Sequence, residues 1–345
     1  MKNLILLFLP LIVILSSCSD SEDTTMPKET NKFKTGIDMS AIYNFNYQNK
    51  GVDEQYFMIG YGYDMTGKFA HPAWVRNKII DIENFESDYD GRIGKASAHV
   101  FSSELSIGGA EESYRKELAK IARFSEIEVE KYKNLFREAI IPAFNRDTAF
   151  TNLNYYYSGI SQIHSWYRTF LDYDILIENL NNKYLTEEFK KDIQEKSPEE
   201  IIRLYGTHVL TSVLVGERVD FLYRTSNVYS NESSAHIRLL NNCSYFSLSP
   251  TELTETLNEV ESNDKENIYF EVIGGKSPKN GWMVDVTNYK GTSIAYDGWD
   301  KLTNDNLALI GFTTTYNTQL PIYELIIDSS KKEALKKAVE KYLSE

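Results

Sequence analysis

From His208 to Tyr223 the chain is rich in β-branched and aromatic residues, and Val219, Phe221 and Tyr223 alternate with Arg218, Asp220 and Arg224. A period of two over so long a segment predicts a strand well beyond the usual length of about five or six residues. Gly216 lies inside it, where a glycine marks a bulge or a bend. The residues just upstream encode a different element. Ser197-Pro198-Glu199-Glu200 is a capping box with proline at the first helical position, and Ile201, Ile202 and Leu204 continue an apolar face until Gly206 stops the helix. A short helix thus runs into a long strand bent at a glycine, which suits a kinked sheet.

Residues 1–17 read as a secretory signal, with Lys2 followed by an apolar run from Leu4 to Leu15 that is too short to span a membrane as a helix. Leu15-Ser16-Ser17-Cys18 has the lipobox pattern, small residues before a cysteine whose thiol is diacylated and which becomes the mature N-terminus. Two or three acyl chains on one residue give stable membrane attachment, unlike a single chain. The next stretch, Ser19 to Thr25, is polar and acidic, so residues 18–34 are expected to form a lipidated, disordered tether. Loss of the signal removes one cation, Lys2, and moves the formal charge from −13 to −14. Such a charge argues against nucleic acid and against long-range attraction to an anionic bilayer.

Beyond Cys18 the only cysteine is Cys243, so an exported domain is expected without an intramolecular disulfide. Its size must stabilise it instead, and about 310 residues suffice for one large core or two ordinary ones. The 24 tyrosines and 17 phenylalanines are spread along the chain, with no Pro/Gly/Ser linker between them. Residues 35–345 therefore read as one domain.

Motifs for other chemistry fail in detail. Gly62 to Phe69 nearly spells a phosphate-binding loop, but Phe69 replaces the hydroxyl residue that would hold Mg²⁺. The histidines His71, His99, His164, His208 and His236 are too far apart for any local metal-ligand spacing. No cofactor or metal is expected, and no carboxylate pair stands out for glycoside hydrolysis. Trp74, Trp166, Trp282 and Trp299 are expected in the core rather than stacked on sugars.

The string Tyr205-Gly206-Thr207-His208-Val209, with six residues between Val209 and Gly216, resembles the signature of the membrane-attack-complex/perforin (MACPF) family, Tyr/Trp-Gly-Thr-His, an aromatic, six residues and Gly-Gly. Tyr205, Gly206, Thr207, His208 and Gly216 match it. Val209 replaces the aromatic and Glu217 the second glycine, so the hinge is expected to be stiffer here. Ile59 to Gly67 resembles the N-terminal segment of bacterial members. Ile273-Gly274-Gly275, Leu309 to Phe312 and Leu320 to Leu325 resemble the closing elements of the domain. The acidic stretch after Cys18 is similar to the export signal of Bacteroidetes-type surface lipoproteins.

The resemblance implies an α+β fold of the MACPF/cholesterol-dependent-cytolysin type, a bent antiparallel β-sheet flanked by helical clusters. It also implies two segments that unfurl into membrane-entering hairpins, placed here at Ala110–Phe150 and Ser226–Glu266. In the first, Ser125 to Glu128 forms a capping box, and Tyr132, Leu135, Phe136 and Ala139 form one apolar face; in the second, a helix is expected after Ser249-Pro250. The last helix is expected from Ser330 to Leu343, with a capping box from Ser330 to Glu333 and an apolar face of Leu335, Ala338, Val339 and Tyr342. No recognition domain is expected after it, which leaves target choice to the domain itself or to a partner. The function so implied is pore formation by a lipid-anchored, outer-membrane effector, not an enzyme, directed at competing bacteria or host cells. Its expected partners are a target membrane or surface receptor or glycan, and further copies of itself in a ring. The alternative is a non-lytic surface binding or adhesion protein on the same scaffold.

Cys18→Ala should leave the protein unprocessed or soluble in cell fractionation. A mature, membrane-retained chain without lipid by mass spectrometry would contradict the anchor.

Overall fold

The computed structural model describes residues 57–108, 110–139, 155–178, 183–226, 253–256, 266–275, 279–285, 293–296, 302–313 and 319–345. In chain order its strands are β1 (Tyr61–Tyr63), β2 (Val75–Lys78), β3 (Ile93–Gly108), β4 (Tyr155–Leu171), β5 (His208–Leu210), β6 (Ser212–Ser226), β7 (Leu253–Thr256), β8 (Glu266–Ile273), β9 (Lys279–Asp285), β10 (Ser293–Tyr296), β11 (Ala308–Phe312) and β12 (Gln319–Pro321). Its helices are α1 (Ile82–Asp88), α2 (Glu111–Ile121), α3 (Glu126–Lys131), α4 (Tyr173–Glu178), α5 (Glu187–Glu195), α6 (Pro198–Tyr205) and α7 (Ser329–Ser344).

The architecture is the expected α+β, and among the described residues every strand pair is antiparallel. The main sheet has the order β3-β4-β6-β8-β9, with β11 also paired to β6. A second sheet runs β12-β5-β1-β2, and β7 pairs with β10. The strands β3, β4 and β6 have 16, 17 and 15 residues, about three times the usual length. Among the described residues, no helix is long and apolar enough to cross a membrane.

The strand expected from His208 is two strands. Leu171 donates its amide to Thr211 O at 2.7 Å, and the chain passes there from β5, which pairs with β1 and β12, to β6, which pairs with β4. The bend expected at Gly216 coincides with a change of partner. Val213 to Gly216 pair with β11, whereas Arg218 to Thr225 pair with β8. Opposite, β4 shifts register between Ser165 and Tyr167, and a Cβ on Gly216 would sit 2.1 Å from His164 O. Only glycine lets the two backbones approach so closely. Next to it, buried Glu217 faces its cross-strand neighbour His164, with Oε1 3.0 Å from Nδ1.

Within the first expected segment, α2 packs on β3 and β4, and Tyr114 lies over Gly159, where a Cβ would come within 2.3 Å of its hydroxyl. The Ser125–Glu128 capping box forms as expected. The helix nevertheless stops at Lys131, and Tyr132, Leu135 and Phe136 reach the core through turns rather than along one helical face. The reason is tertiary: the Asn134 amide donates to Leu343 O and the Phe136 amide to Met65 O, in place of helical partners. In the second segment, 227–252 and 257–265 lie outside the described residues. The expected polar helix is corrected over Leu253–Thr256, which is β7, paired residue for residue with Ser293–Tyr296.

The terminal helix α7 is capped by Asp328, whose carboxylate accepts from the Lys331 amide, rather than by Ser330. Of the expected apolar face, Leu335 and Val339 are buried and Ala338 packs partly buried on the core, while Leu343 is buried in place of Tyr342, which is 40% exposed. Trp74 and Trp166 are only partly buried against the core, and the side chains of Trp282 and Trp299 lie outside the described residues.

Candidate functional site

The Tyr205–His208 string and the Ile59–Gly67 segment, far apart in sequence, meet in the structure. The Ser197 hydroxyl accepts from the Glu200 amide and the Glu200 carboxylate from the Ser197 amide, which starts α6 as expected. At the other end Gly206 caps the helix with φ +73° and donates to Ile202 O at 2.7 Å. Backbone then touches backbone twice. A Cβ on Gly62 would lie 1.8 Å from Tyr205 O, and one on Gly206 would lie 2.4 Å from the Tyr63 carbonyl.

Past this contact, Thr207 fixes the register. Its amide donates to Tyr63 O at 2.9 Å, and its hydroxyl accepts from the Met65 amide at 3.2 Å and lies 2.9 Å from His208 Nδ1. Pairing of β1 with β5 follows, Gly62 against Val209 and Tyr63 against His208. Tyr205 donates its hydroxyl to Asp192 at 3.0 Å and stacks edge-on with Phe189. The structure therefore brings Tyr205, Gly206, Thr207 and His208 into one buried turn. Gly216 stands apart in the main sheet, where a Cβ on Gly274 would lie 2.4 Å from its carbonyl oxygen. Cys18 lies outside the described residues.

Behind the turn is an ionic cluster that sequence reasoning missed. The Tyr63 hydroxyl donates to Lys68 O and accepts from the His71 amide, so the loop from Asp64 to His71 folds around it. Lys68 Nζ reaches both carboxylate oxygens of Glu271 at 2.7 Å and Tyr269 Oη at 3.1 Å. His71 Nδ1 accepts from the Ala73 amide, which leaves the proton on Nε2, 3.5 Å from Glu271. Arg218 donates to the carbonyls of Phe69, Ala70 and Ile310 and pairs with Asp220. The lysine of the near phosphate loop is thus turned inward to a carboxylate of β8. A signal existed in the isolated Lys68 and Glu271 of otherwise apolar surroundings, but no spacing rule connects residues so distant.

Burial opposes ionisation of Glu271, yet Lys68 and His71 outweigh it and hold the carboxyl well below the usual range. Desolvation pushes His208 down to about 3, and burial also lowers His71. Both imidazoles are neutral at pH 7. Among the described residues no group of three or more His, Cys, Asp or Glu is placed to hold a metal. What the arrangement offers chemically is a rigid brace between the helix end, the loop and both sheets.

Two expectations follow. Gly206→Val should destabilise the fold by more than about 3 kcal/mol, since a β-branched residue tolerates positive φ badly and the Cβ has no room; urea melts would show it, and a wild-type midpoint would contradict the contact. A histidine depressed in the folded state binds its proton more readily when unfolded, so stability contributed by His208 is complete above its unfolded value of about 6.5 and falls toward 3. The slope is about 1.4 kcal/mol per pH unit, and His71 adds to it with the same sign. Urea midpoints at pH 7, 5.5 and 4.5 should decline steadily, whereas a flat profile would mean that His208 is solvated.

No curated protein matches the chain in sequence. Solved structures share its fold, among them the following two. A MAC/Perforin-domain protein from Bacteroides thetaiotaomicron aligns with TM-score 0.67 at 16% identity, over 84% of this chain and 61% of its own. GNIP1Aa from Chromobacterium piscinae aligns with TM-score 0.58 at 16% identity, over 83% and 55%. The chain therefore spans less than two thirds of the length of either structure. The MAC/Perforin domain model matches residues 163–345, which is more than half of the chain and includes the buried turn and Gly216; the chain belongs to the MAC/Perforin domain family.

Proposed function

We propose that the chain is a lipid-anchored, exported pore-forming effector that oligomerises on a target membrane of competing bacteria or host cells and inserts β-hairpins. One observation carries this reading. The neighbouring strands β3, β4, β6 and β8 end at a common edge of the main sheet, with Gly108 paired to Tyr157, Tyr155 to Ser226 and Thr225 to Glu266. The connections 109–154 and 227–265 both leave from that edge, so unfurling either one would lengthen a pre-paired hairpin without a change of register. Each is long enough for two tilted transmembrane strands of about 9–11 residues. The lipid on Cys18 would hold the domain at the outer-membrane surface until release or contact.

A second reading, a non-lytic surface binding protein, is favoured by the charge of the first connection. As a strand, Tyr114 and Leu118 would share a face with Glu112, Lys116 and Lys120. A lipid-facing lysine costs about 2–4 kcal/mol near mid-bilayer.

The test is dye release from liposomes and from bacterial cells, using purified protein without residues 1–18, in a Cys243→Ser background. A cysteine pair joining α2 to β4, with Cα atoms within about 7 Å, should block release when oxidised and restore it on reduction. Release that survives verified oxidation of the pair, or no lysis of any target alongside specific surface binding, would favour the second reading.

A further inference from the structure

The hold on the first connection is uneven along its length. Beneath Tyr114 and Leu118 of α2 lies a cavity of about 50 Å3, lined also by Lys68, Ser161, Arg218 and Asp220. These groups bond among themselves and with the sheet: Ser161 donates to Asp220, Arg218 pairs with Asp220, and Lys68 pairs with Glu271. Lifting α2 would hydrate polar groups that already have partners, so the helix is held on this side by the burial of Tyr114, Leu118 and Ala119 rather than by these groups.

The other end is clasped from three sides. The Asn134 amide donates to Leu343 O at 2.8 Å, Asn134 Nδ2 donates to Tyr342 O at 3.0 Å, and Lys131 pairs with Glu340 at 2.8 Å. The amides of Phe136 and Glu138 donate to Met65 O and Thr66 O. Tyr342 closes the ring, donating its hydroxyl to Asp64 at 3.2 Å and lying 3.4 Å from the Thr66 hydroxyl. The clasp borders an open cleft of about 700 Å3, also lined by Trp74, Arg76, Arg137 and Arg203, so water and ligands reach it.

We propose that the last turn of α7, through the hydroxyl and the carbonyl of Tyr342, is a latch that holds residues 131–138 against the Asp64–Thr66 turn, and that its opening releases the first connection. The latch concerns this chain's resting state; its consequence for lysis rests on the pore reading. The carbonyls of α7 that receive Asn134 are those at a helix end, which lack helical partners. The Asn134 bonds are therefore made without disrupting α7 and are lost without unwinding it.

Hydrogen–deuterium exchange of the full chain at neutral pH, read by mass spectrometry, tests this with Tyr342→Phe, Asn134→Ala, the double variant and Lys131→Ala. In the double variant, amides 132–138 should exchange about tenfold faster than in wild type while peptides from β4, β6 and α6 keep their rates. Lys131→Ala, which removes a partly exposed ion pair with Glu340 and a cation–π contact with Tyr132, should give a smaller change in the same peptides. Dye release should be faster in the double variant. Unchanged exchange at 132–138, or equal acceleration across all peptides, would overturn the latch. Selective acceleration with dye release at the wild-type rate would also overturn it as the releasing step. Selective acceleration with no lysis by any form would keep the latch and refute the pore reading instead.

Discussion

The two close backbone contacts, Gly62 under the Tyr205 carbonyl and Gly206 against the Tyr63 carbonyl, are the constraint on which the rest of the molecule depends. They bring α6 and β1 closer than any side chain permits, and β5 leaves the turn already in register with β1. Once β1 is placed, the Tyr63 hydroxyl organises the loop that follows, from Lys68 O to the His71 amide. That loop delivers Lys68 to β8 and offers its carbonyls to Arg218 of β6. Two sheets with no shared strand are thereby joined through one turn.

The joint is ionic where an apolar one would be cheaper. A buried ion pair recovers its desolvation cost only if its remaining hydrogen-bonding capacity is met. Here Tyr269 and His71 complete the shell of Lys68 and Glu271, and three carbonyls occupy Arg218. The arrangement makes part of the floor under α2 polar and self-satisfied, beside the apolar Phe69 and Leu222. Those polar groups have partners of their own, so the helix is held there by the burial of Tyr114, Leu118 and Ala119.

The change of partner on β6 extends this logic. Up to Gly216 the strand is flanked by β11, and beyond it by β8, so the brace, through Arg218 and Glu271, grips the part of the sheet that runs on to the common edge of β3, β4, β6 and β8. Glu217, buried against His164 at that boundary, links β6 to β4 across the bend, where a second glycine would contribute no side chain.

What the sequence determined by itself was local. The reciprocal bonds of Ser125 with Glu128 and of Ser197 with Glu200 are encoded within four residues, as is the stop at Gly206, and the structure contains all three. The alternation from Val219 to Tyr223 likewise marked β6, because a period of two is a property of the strand alone. Tertiary structure decided wherever a distant chain competed with a local signal: Thr211 breaks the strand because Leu171 and two different sheets claim its flanks, α3 ends because Asn134 and Phe136 find partners on α7 and the loop, and Asp328 replaces Ser330 as the cap. The pairing of Lys68 with Glu271 and the demand for glycine at position 62 could not be read from the sequence, even though both charges stand out among apolar neighbours, since each is imposed by a segment more than a hundred residues away. Hydrogen bonds between near neighbours are written in the sequence between them, whereas the choice among remote partners is made only when the whole chain has packed.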